Sequence, residues 1–390
     1  MSTPSGAGPN RVYGLDVFRS FAILFVLVGH SLEHSKVAAQ LQIFGKLGIL
    51  GVELFFVLSG FLIGGIIMRL IDQGKFHTLS HVSDFWKRRW LRTLPLYFLA
   101  LLAFIRFDYH GRHALTDYPA YFVFMQSFAQ KIPEFFELSW SLAIEEHFYL
   151  WFPLVFLVWR RLVKRVDIAI VLTALTFVLV AYSFRLSHTL FTDWNEYNRI
   201  IRVAVLSRLD AIMFGVLIAA ARHYRPRLFQ QIKACTPVTA SAFVVLCVWW
   251  FVDSPGLMTS RTIQVNLFTL QALLCALLLP WFDGWTKNKA ESDFFTVTSK
   301  LSYSLYLVHI LVIIFVNKTL WYFRVFDQAY NNPFILYPLY GTLFYAASWV
   351  TYHHVEKPFL SLRDSTFSWT SLLQATWVTA VLALALVFIF

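Results

Sequence analysis

Charged side chains and cysteines are scarce in this chain of 390 residues. Asp, Glu, Lys and Arg make up 14% of it, whereas 58% is hydrophobic, a balance that soluble domains rarely reach. The three cysteines, Cys235, Cys247 and Cys275, are too scattered for a disulfide framework or a set of metal ligands. The composition therefore excludes a soluble globular protein, and we predict no metal site.

Long polar stretches are also missing, so no separate soluble domain is expected. Apolar runs of bilayer-spanning length, about 17 to 25 residues, recur from residue 14 to residue 390. We predict an all-α fold, a polytopic membrane helical bundle with about ten or eleven transmembrane helices. The predicted spans are 14–33, 47–70, 93–107, 138–159, 167–186, 203–221, 236–253, 262–281, 301–320, 335–353 and 370–390.

Three regions follow from this pattern. Residues 1–13 form a short polar leader without a cleavage pattern, residues 14–360 form one transmembrane domain, and residues 361–390 carry an extra apolar run. Segment 116–135 is only moderately apolar and contains two prolines. We interpret it as an amphipathic or re-entrant piece rather than a full crossing.

The net charge of +11 is explained by topology. With a cytoplasmic N-terminus, most lysines and arginines fall in segments that face the cytoplasm, which agrees with the positive-inside rule. The expected location is therefore a cell membrane, in bacteria the inner membrane, with the N-terminus in the cytoplasm. The basic charge then requires no nucleic-acid partner.

Ionisable residues inside the predicted spans need a polar environment, because such a group costs a few kcal/mol or more in lipid. Arg19 and His30 lie eleven positions apart in the first span. This spacing is nearly three helical turns, so both side chains share one face, separated by about 16 Å along the axis. Alternatively, Arg19 extends to the inner interface and His30 makes an ordinary interhelical contact.

Two adjacent carboxylates, Glu145 and Glu146, lie about two turns inside the fourth span. They cannot both face the same partner, and we expect Glu145 to point into the bundle because Tyr149 lies one turn beyond it. The alternative is a structural ion pair or a protonated, hydrogen-bonded acid.

A basic cluster precedes the third span. Arg89 and Arg92 are three positions apart, beside Arg88, and would share a helix face able to bind phosphate oxygens. The cluster alone could equally be a topology signal. His309 in the ninth span and Glu356 at the end of the tenth could likewise be scaffold polarity.

Taken together, these residues resemble the acyltransferase family 3 membrane enzymes, which transfer acyl groups, most often acetyl, to hydroxyls of sugars or other acceptors. The resemblance runs from Gly14 to Pro358, with its motifs in family order. They are Arg19 with His30, Gly51–Gly60 (GVELFFVLSG), Arg89 with Arg92, Trp140–Tyr149 (WSLAIEEHFY), Arg208–Gly215 (RLDAIMFG), Tyr303–His309 (YSLYLVH) and Val355–Pro358 (VEKP).

The chain departs from the family in two expected respects. Family members usually have about ten spans, so the apolar run 370–390 would be an eleventh. Some members also carry a fused extracytoplasmic esterase-like domain, which we do not expect here.

The resemblance implies a cytoplasmic acyl-CoA donor, with acetyl-CoA as the default and no metal. Its phosphates would bind Arg89 and Arg92, with Arg88 as a helper. Arg19 would hold the donor or stabilise developing charge.

The transfer step would depend on His30. It would act as general base on an acceptor hydroxyl approaching from outside, or would carry the acyl group covalently. Glu145 would orient the imidazole, while His309, Glu356 and Tyr149 would shape the acceptor side or serve as structural polar groups.

Competing functions remain open at this stage. Arg, His and Glu inside spans also describe a proton-coupled secondary transporter of a small polar or anionic solute, and a membrane sensor or scaffold is a third class. The sequence leaves the acceptor open among a surface polysaccharide, a lipid-linked sugar, a peptidoglycan unit and a small natural product, with modification of a cell-surface polysaccharide as the expectation. The oligomeric state is open, a homo-oligomer included.

Overall fold

The computed structural model describes residues 12–33, 43–108, 116, 118–129, 135–188, 190–252, 256, 258–287, 293–323 and 332–362. Regular structure in these ranges is helical. The helices are α1 (Tyr13–Glu33), α2 (Leu47–Asp72), α3 (Leu79–Asp108), α4 (Pro119–Phe122), α5 (Ser139–Leu162), α6 (Val166–Leu186), α7 (Trp194–Tyr197), α8 (Val205–Tyr224), α9 (Pro226–Ala234), α10 (Thr236–Val252), α11 (Arg261–Phe282), α12 (Phe294–Tyr322), α13 (Pro333–Thr351) and α14 (Lys357–Leu362).

The predicted polytopic helical bundle is confirmed. Among the described residues, seven helices are long and apolar enough to cross a membrane, or up to nine if each of two bent pairs counts as one span. The bent pairs are Trp194–Arg202 with α8, at 64°, and α9 with α10, at 57°. Helix α13 occupies the position of the predicted tenth span but is not among those nine, and the predicted span 370–390 lies outside the described residues.

Helix α3 is longer than predicted. It begins at Leu79 rather than at residue 93, because the basic cluster is itself helical. Val82 and Phe85 are buried on one face while Lys87 and Arg88 are exposed on another, so the segment is amphipathic and extends the span. Arg88, Arg89 and Arg92 therefore lie on a helix and not on a loop.

Segment 116–135 contains no crossing helix among its described residues. Within 118–129 the only helix is α4, of four residues. The Tyr97 hydroxyl donates to the Tyr121 carbonyl at 2.8 Å, and the Gln126 amide donates to the Ser139 carbonyl at 3.2 Å. These bonds hold the segment in the wall of the bundle between α3 and α5.

Helix α2 packs against α1 and α8 at backbone distance. A Cβ atom on Gly51 would lie 2.5 Å from the carbonyl oxygen of Ala22, and one on Gly60 would lie 1.9 Å from that of Ile212. Gly215 of α8 is equally tight against Val57. Small residues allow such close approach between membrane helices, which explains the glycines of the two motifs in physical terms.

A buried ion pair also joins two of these helices, α2 and α8. Arg208 of α8 pairs with Glu53 of α2, and both side chains are fully buried. The guanidinium of Arg208 also lies 4.4 Å from the ring centroid of Phe268 on α11. Removing one member of such a pair would leave an uncompensated buried charge, so the arginine of the RLDAIMFG motif is part of the scaffold.

We predict that Gly60→Ala destabilises the protein, because the added methyl would collide with the Ile212 carbonyl. Overpacking of this kind costs about 1–3 kcal/mol, which should lower the melting temperature in detergent by several degrees. Gly341→Ala is the control, since its Cβ would meet nothing within 4 Å. Equal melting temperatures for the two variants would contradict the close-packing account.

Candidate functional site

The first cavity, of about 330 Å³, lies between α1, α2, α3, α5 and α12. The arginines of its lining come from the ends of α1, α2 and α3 that lie on the same side of the bundle, here called the arginine-rich end. Serine and tyrosine hydroxyls also line the cavity, and those of Ser141 and Tyr306 bond to each other. The polar lining residues are Arg19, Ser59, Arg69, Arg89, Arg92, Thr93, Ser141, Glu145, Tyr149, Ser302, Tyr303 and Tyr306.

The predicted arginine pair faces this cavity. Arg89 and Arg92 lie one turn apart on α3, are partly buried, and both line the cavity. The guanidinium of Arg89 is 5.9 Å from the ring centroid of Tyr149, which orients it inward. Arg88 is exposed and lines neither this cavity nor the next, so the structure separates it from the pair.

Glu145 and Tyr149 are bonded as the one-turn spacing predicts. The Tyr149 hydroxyl donates to Glu145 Oε2 at 3.0 Å, and the Ser59 hydroxyl donates to Glu145 Oε1 at 2.9 Å. The predicted orienting contact from Glu145 to His30 is wrong. Glu145 lies on the face of α5 turned towards α2 and α3, so its carboxylate belongs with the arginines.

A second cavity, of about 800 Å³, adjoins the first at the arginine-rich end. The two cavities share Arg19, Arg69 and Arg92, and the second is also lined by Arg222 and Lys300. Sequence analysis did not single out Arg69, Arg222 or Lys300. In the sequence, these residues are marked only by their positions near the ends of predicted spans. Basic residues are common there because of the positive-inside rule, so the positions do not indicate a binding site.

One arginine of the second cavity is partly neutralised. Arg222 Nε lies 2.9 Å from Asp283 Oδ2, and the Asp283 side chain is buried. Burial raises the pKa of Asp283, and the neighbouring Arg222 opposes that rise. Arg222 therefore contributes less net positive charge than Arg69 or Lys300.

Glu356 lines the second cavity, where it accepts a hydrogen bond from the Ser304 hydroxyl at 3.0 Å. The structure thus places Glu356 at the arginine-rich end, away from the histidine pair, and its role at the acceptor side or as a structural polar group stays a prediction. Helix α13 runs towards the arginine-rich end, and the turn that follows it places the carboxylate beside Arg19 and Arg92.

His30 and His309 meet across α1 and α12. His30 Nδ1 lies 3.0 Å from His309 Nε2, and the rings are stacked with centroids 5.1 Å apart. His309 is fully buried, whereas His30 is half-buried. The structure thus brings together two histidines that are 279 residues apart in the chain.

The hydrogen bonds of this pair assign its tautomers. His309 Nδ1 lies 2.9 Å from the carbonyl oxygen of Leu305, and a carbonyl can only accept, so His309 Nδ1 carries the hydrogen. In the neutral ring His309 Nε2 is then an acceptor, and His30 Nδ1 must donate to it. The basic lone pair of a neutral His30 is consequently on Nε2.

The histidine pair does not line either of the two cavities. Tyr306 separates it from the first cavity, with its ring centroid 6.1 Å from that of His309. The Tyr306 and Ser141 hydroxyls are hydrogen-bonded at 2.6 Å. The predicted site is therefore divided into a cationic compartment containing Arg19 and a histidine compartment behind a tyrosine.

No metal-binding cluster of three or more His, Cys, Asp or Glu residues occurs in the part of the chain that the structure describes.

The fold and the divided polar interior agree with the comparison of the sequence with known families. Residues 12–353 match the family described as "Acyltransferase domain". This match covers most of the chain, so the protein belongs to that acyltransferase family, and the predicted family resemblance is confirmed.

Two Staphylococcus aureus (strain MRSA252) proteins illustrate the relationship. The chain is 23% identical over 398 residues to "Putative O-acetyltransferase SAR0937", covering 96% of this chain and 61% of the relative. It is 23% identical over 414 residues to "O-acetyltransferase OatA", covering 97% of this chain and 63% of the relative. The chain thus spans about three fifths of the length of these curated relatives. No solved structure matches it.

We predict that a cysteine placed in the first cavity reacts faster with an anionic thiol reagent than with a cationic one. The substitution is Ser302→Cys, in a Cys235→Ser background that removes the exposed native thiol. Clustered arginines should raise the anionic rate about tenfold or more. Ser348→Cys, at a fully buried position outside both cavities, is the control, and equal rates at the two positions would refute an open cationic cavity.

Proposed function

We propose that the protein is an integral membrane O-acetyltransferase that moves an acetyl group from cytoplasmic acetyl-CoA to a hydroxyl group on the other side of the membrane. The observation that carries the proposal is the cationic cavity that leads from the arginine-rich end to the tyrosine beside the histidine pair. Membership of the acyltransferase family and the printed names of the relatives support the reaction type.

The donor would occupy both cavities. A coenzyme A thioester has a multiply charged nucleotide end and a long, mostly neutral arm. The second cavity has the larger volume and, besides Asp16 and Glu356, the lysine and arginine lining that suits the phosphates. The first is smaller and is lined, beyond its arginines, by apolar side chains, hydroxyl groups and Glu145. Arg19, Arg69 and Arg92 line both cavities, at the junction where the diphosphate would lie.

The arginines also define the proposed orientation. A water-soluble, anionic donor must enter from the compartment where it is made, so the arginine-rich end faces the cytoplasm. This orientation agrees with the positive-inside rule and places the N-terminus in the cytoplasm. In a bacterium the membrane would be the inner membrane.

In the transfer step, His30 Nε2 would accept the proton of the acceptor hydroxyl while the hydroxyl oxygen bonds to the thioester carbonyl carbon. The carbon–sulfur bond then breaks, and the thiolate recovers a proton. His309 would keep His30 in the reactive tautomer through the 3.0 Å contact. This is the orienting role expected of Glu145 from the sequence. Covalent transfer through an acyl-histidine on the same nitrogen is the rival route.

Tyr306 lies between the two compartments and would have to move during acetyl transfer. Its hydroxyl bonds to Ser141 at the closed end of the first cavity. Because His30 does not line that cavity, the acyl end of the donor reaches the histidine when the tyrosine side chain turns away from Ser141. The barrier would keep water from the thioester until the acyl group arrives.

The acceptor would approach His30 from the end opposite the arginines, where α1 ends. We propose a cell-surface glycan, because the acetyl group would be delivered on the outer side and the relatives are named as O-acetyltransferases. Acyl-CoA, the acceptor and the lipid bilayer are then the partners that the activity needs.

We predict that His30→Ala abolishes transfer without preventing folding. Losing a general base lowers rates by about 10²- to 10⁴-fold, which should be measured with labelled acetyl-CoA and the protein in liposomes. His354→Ala, at an exposed histidine outside both cavities, should retain full activity. Normal transfer by His30→Ala would refute the assigned role.

We predict that Arg92→Ala raises the KM for acetyl-CoA about tenfold, the effect of losing one charge-assisted hydrogen bond, with a smaller change in kcat. Arg88→Ala is the matched control on the same helix, because Arg88 is exposed, and its KM should be unchanged. An equal effect of the two substitutions would indicate general electrostatic attraction in place of a phosphate site.

A further inference from the structure

A third cavity, of about 260 Å³, lies on the outer side of α3 and α5, away from the first two. Its walls are largely apolar and come from α3, from α5 and from residues 122–124, which include the last residue of α4 and the two after it. Two polar residues, Glu146 and His147, also line it. Neither residue has a part in the proposed acetyl transfer.

This lateral cavity opens towards the bilayer interior. Leu94 and Leu150, which line it, lie near the midpoints of the long helices α3 and α5. At its rim, Trp90 is 40% exposed and Phe122 is 43% exposed. Large apolar side chains that are exposed on the surface of a membrane bundle face lipid, so a molecule dissolved in the bilayer can enter here.

His147 presents an acceptor to the cavity. Its Nδ1 lies 2.9 Å from the carbonyl oxygen of Ala143, so Nδ1 carries the hydrogen and the neutral ring has its lone pair on Nε2. The side chain is 7% exposed, and its ring packs 5.0 Å from that of Phe128. Nε2 makes no hydrogen bond to the protein among the described residues, and the residue lines the cavity, so the lone pair is available to a ligand there.

Glu146 strengthens the preference of the lateral cavity for a ligand that carries a hydrogen-bond donor. It is 8% exposed, and its Oε1 accepts a hydrogen bond from the Thr93 hydroxyl at 2.7 Å. No lysine or arginine is among the residues that line the lateral cavity. A ligand here therefore needs a hydrogen-bond donor and gains nothing from negative charge.

We propose that the lateral cavity binds a lipid-soluble alcohol, an amphiphile with a hydroxyl on an apolar body. The hydroxyl donates to His147 Nε2, and the apolar body lies against Leu94, Phe98 and the exposed rim. An ammonium group would face a much larger cost of entering mid-bilayer, and an anion would meet Glu146 without a cation. The Thr93 hydroxyl that bonds to Glu146 lines the first cavity, so Glu146 and Thr93 separate the two cavities.

The test uses the full-length protein in nanodiscs and a long-chain alcohol that carries a photoreactive diazirine. Mass spectrometry of the cross-linked peptides should find label on α3 near Trp90 and on residues 122–124. The methyl ether of the same probe cannot donate, so it should label these peptides about fivefold less, the value of one net hydrogen bond. Equal labelling by alcohol and ether, or stronger labelling by the corresponding carboxylic acid, would overturn the proposal.

Two variants locate the hydrogen bond. His147→Phe keeps the ring contact with Phe128 but removes the acceptor, so the preference for alcohol over ether should disappear. His147→Gln restores an acceptor and should recover part of it. Val158→Phe, on the lipid-exposed surface of the same helix, should leave the preference unchanged. A preference that survives in His147→Phe refutes the assignment, and the comparison of probes on the unaltered protein decides the matter if that variant does not fold.

Discussion

The close packing of α2 is the constraint on which the rest of the structure depends. Its glycines bring it within backbone distance of α1 and α8, and its buried Glu53 pairs with Arg208 of α8. The first cavity is built against this helix, because Ser59 on α2 holds Glu145 in place and Arg69 lies at its end. A larger residue at one of the tight glycines would move the helix and, with it, the wall of the cavity.

The ionisable groups of the bundle divide into two kinds. Arg208 with Glu53 and Arg185 with Asp210 are buried pairs whose charges compensate each other. Arg69, Arg92 and Lys300 instead line the second cavity, where five basic side chains outnumber the two carboxylates of Asp16 and Glu356. Burying a charge is tolerated when it is paired, so an arginine that faces a cavity is available for a ligand, whereas one in a buried pair stabilises the fold.

Arg19 and His30 share a face of the first helix, but the packing of the bundle places them in different compartments. The helical repeat places them on one face about 16 Å apart, but Tyr306 and His309 of α12 then decide that they belong to separate compartments. The same crossing explains why Glu145 was wrongly expected beside His30. Its spacing from Tyr149 is local and was predictable, whereas the direction of that face relative to α1 depends on how the helices pack.

The sequence by itself determined that the protein is a helical membrane bundle, which family it belongs to, and that Arg89 and Arg92 share a face. Each of these follows from apolar length, motif order or the helical repeat, which are local properties of the chain. Only the tertiary structure decided the contact of His30 with His309, the place of Glu356 beside the arginines, and the opposite directions of Glu145 and Glu146. These depend on which helices are neighbours, and side-chain packing between distant segments leaves no periodic signal in the sequence.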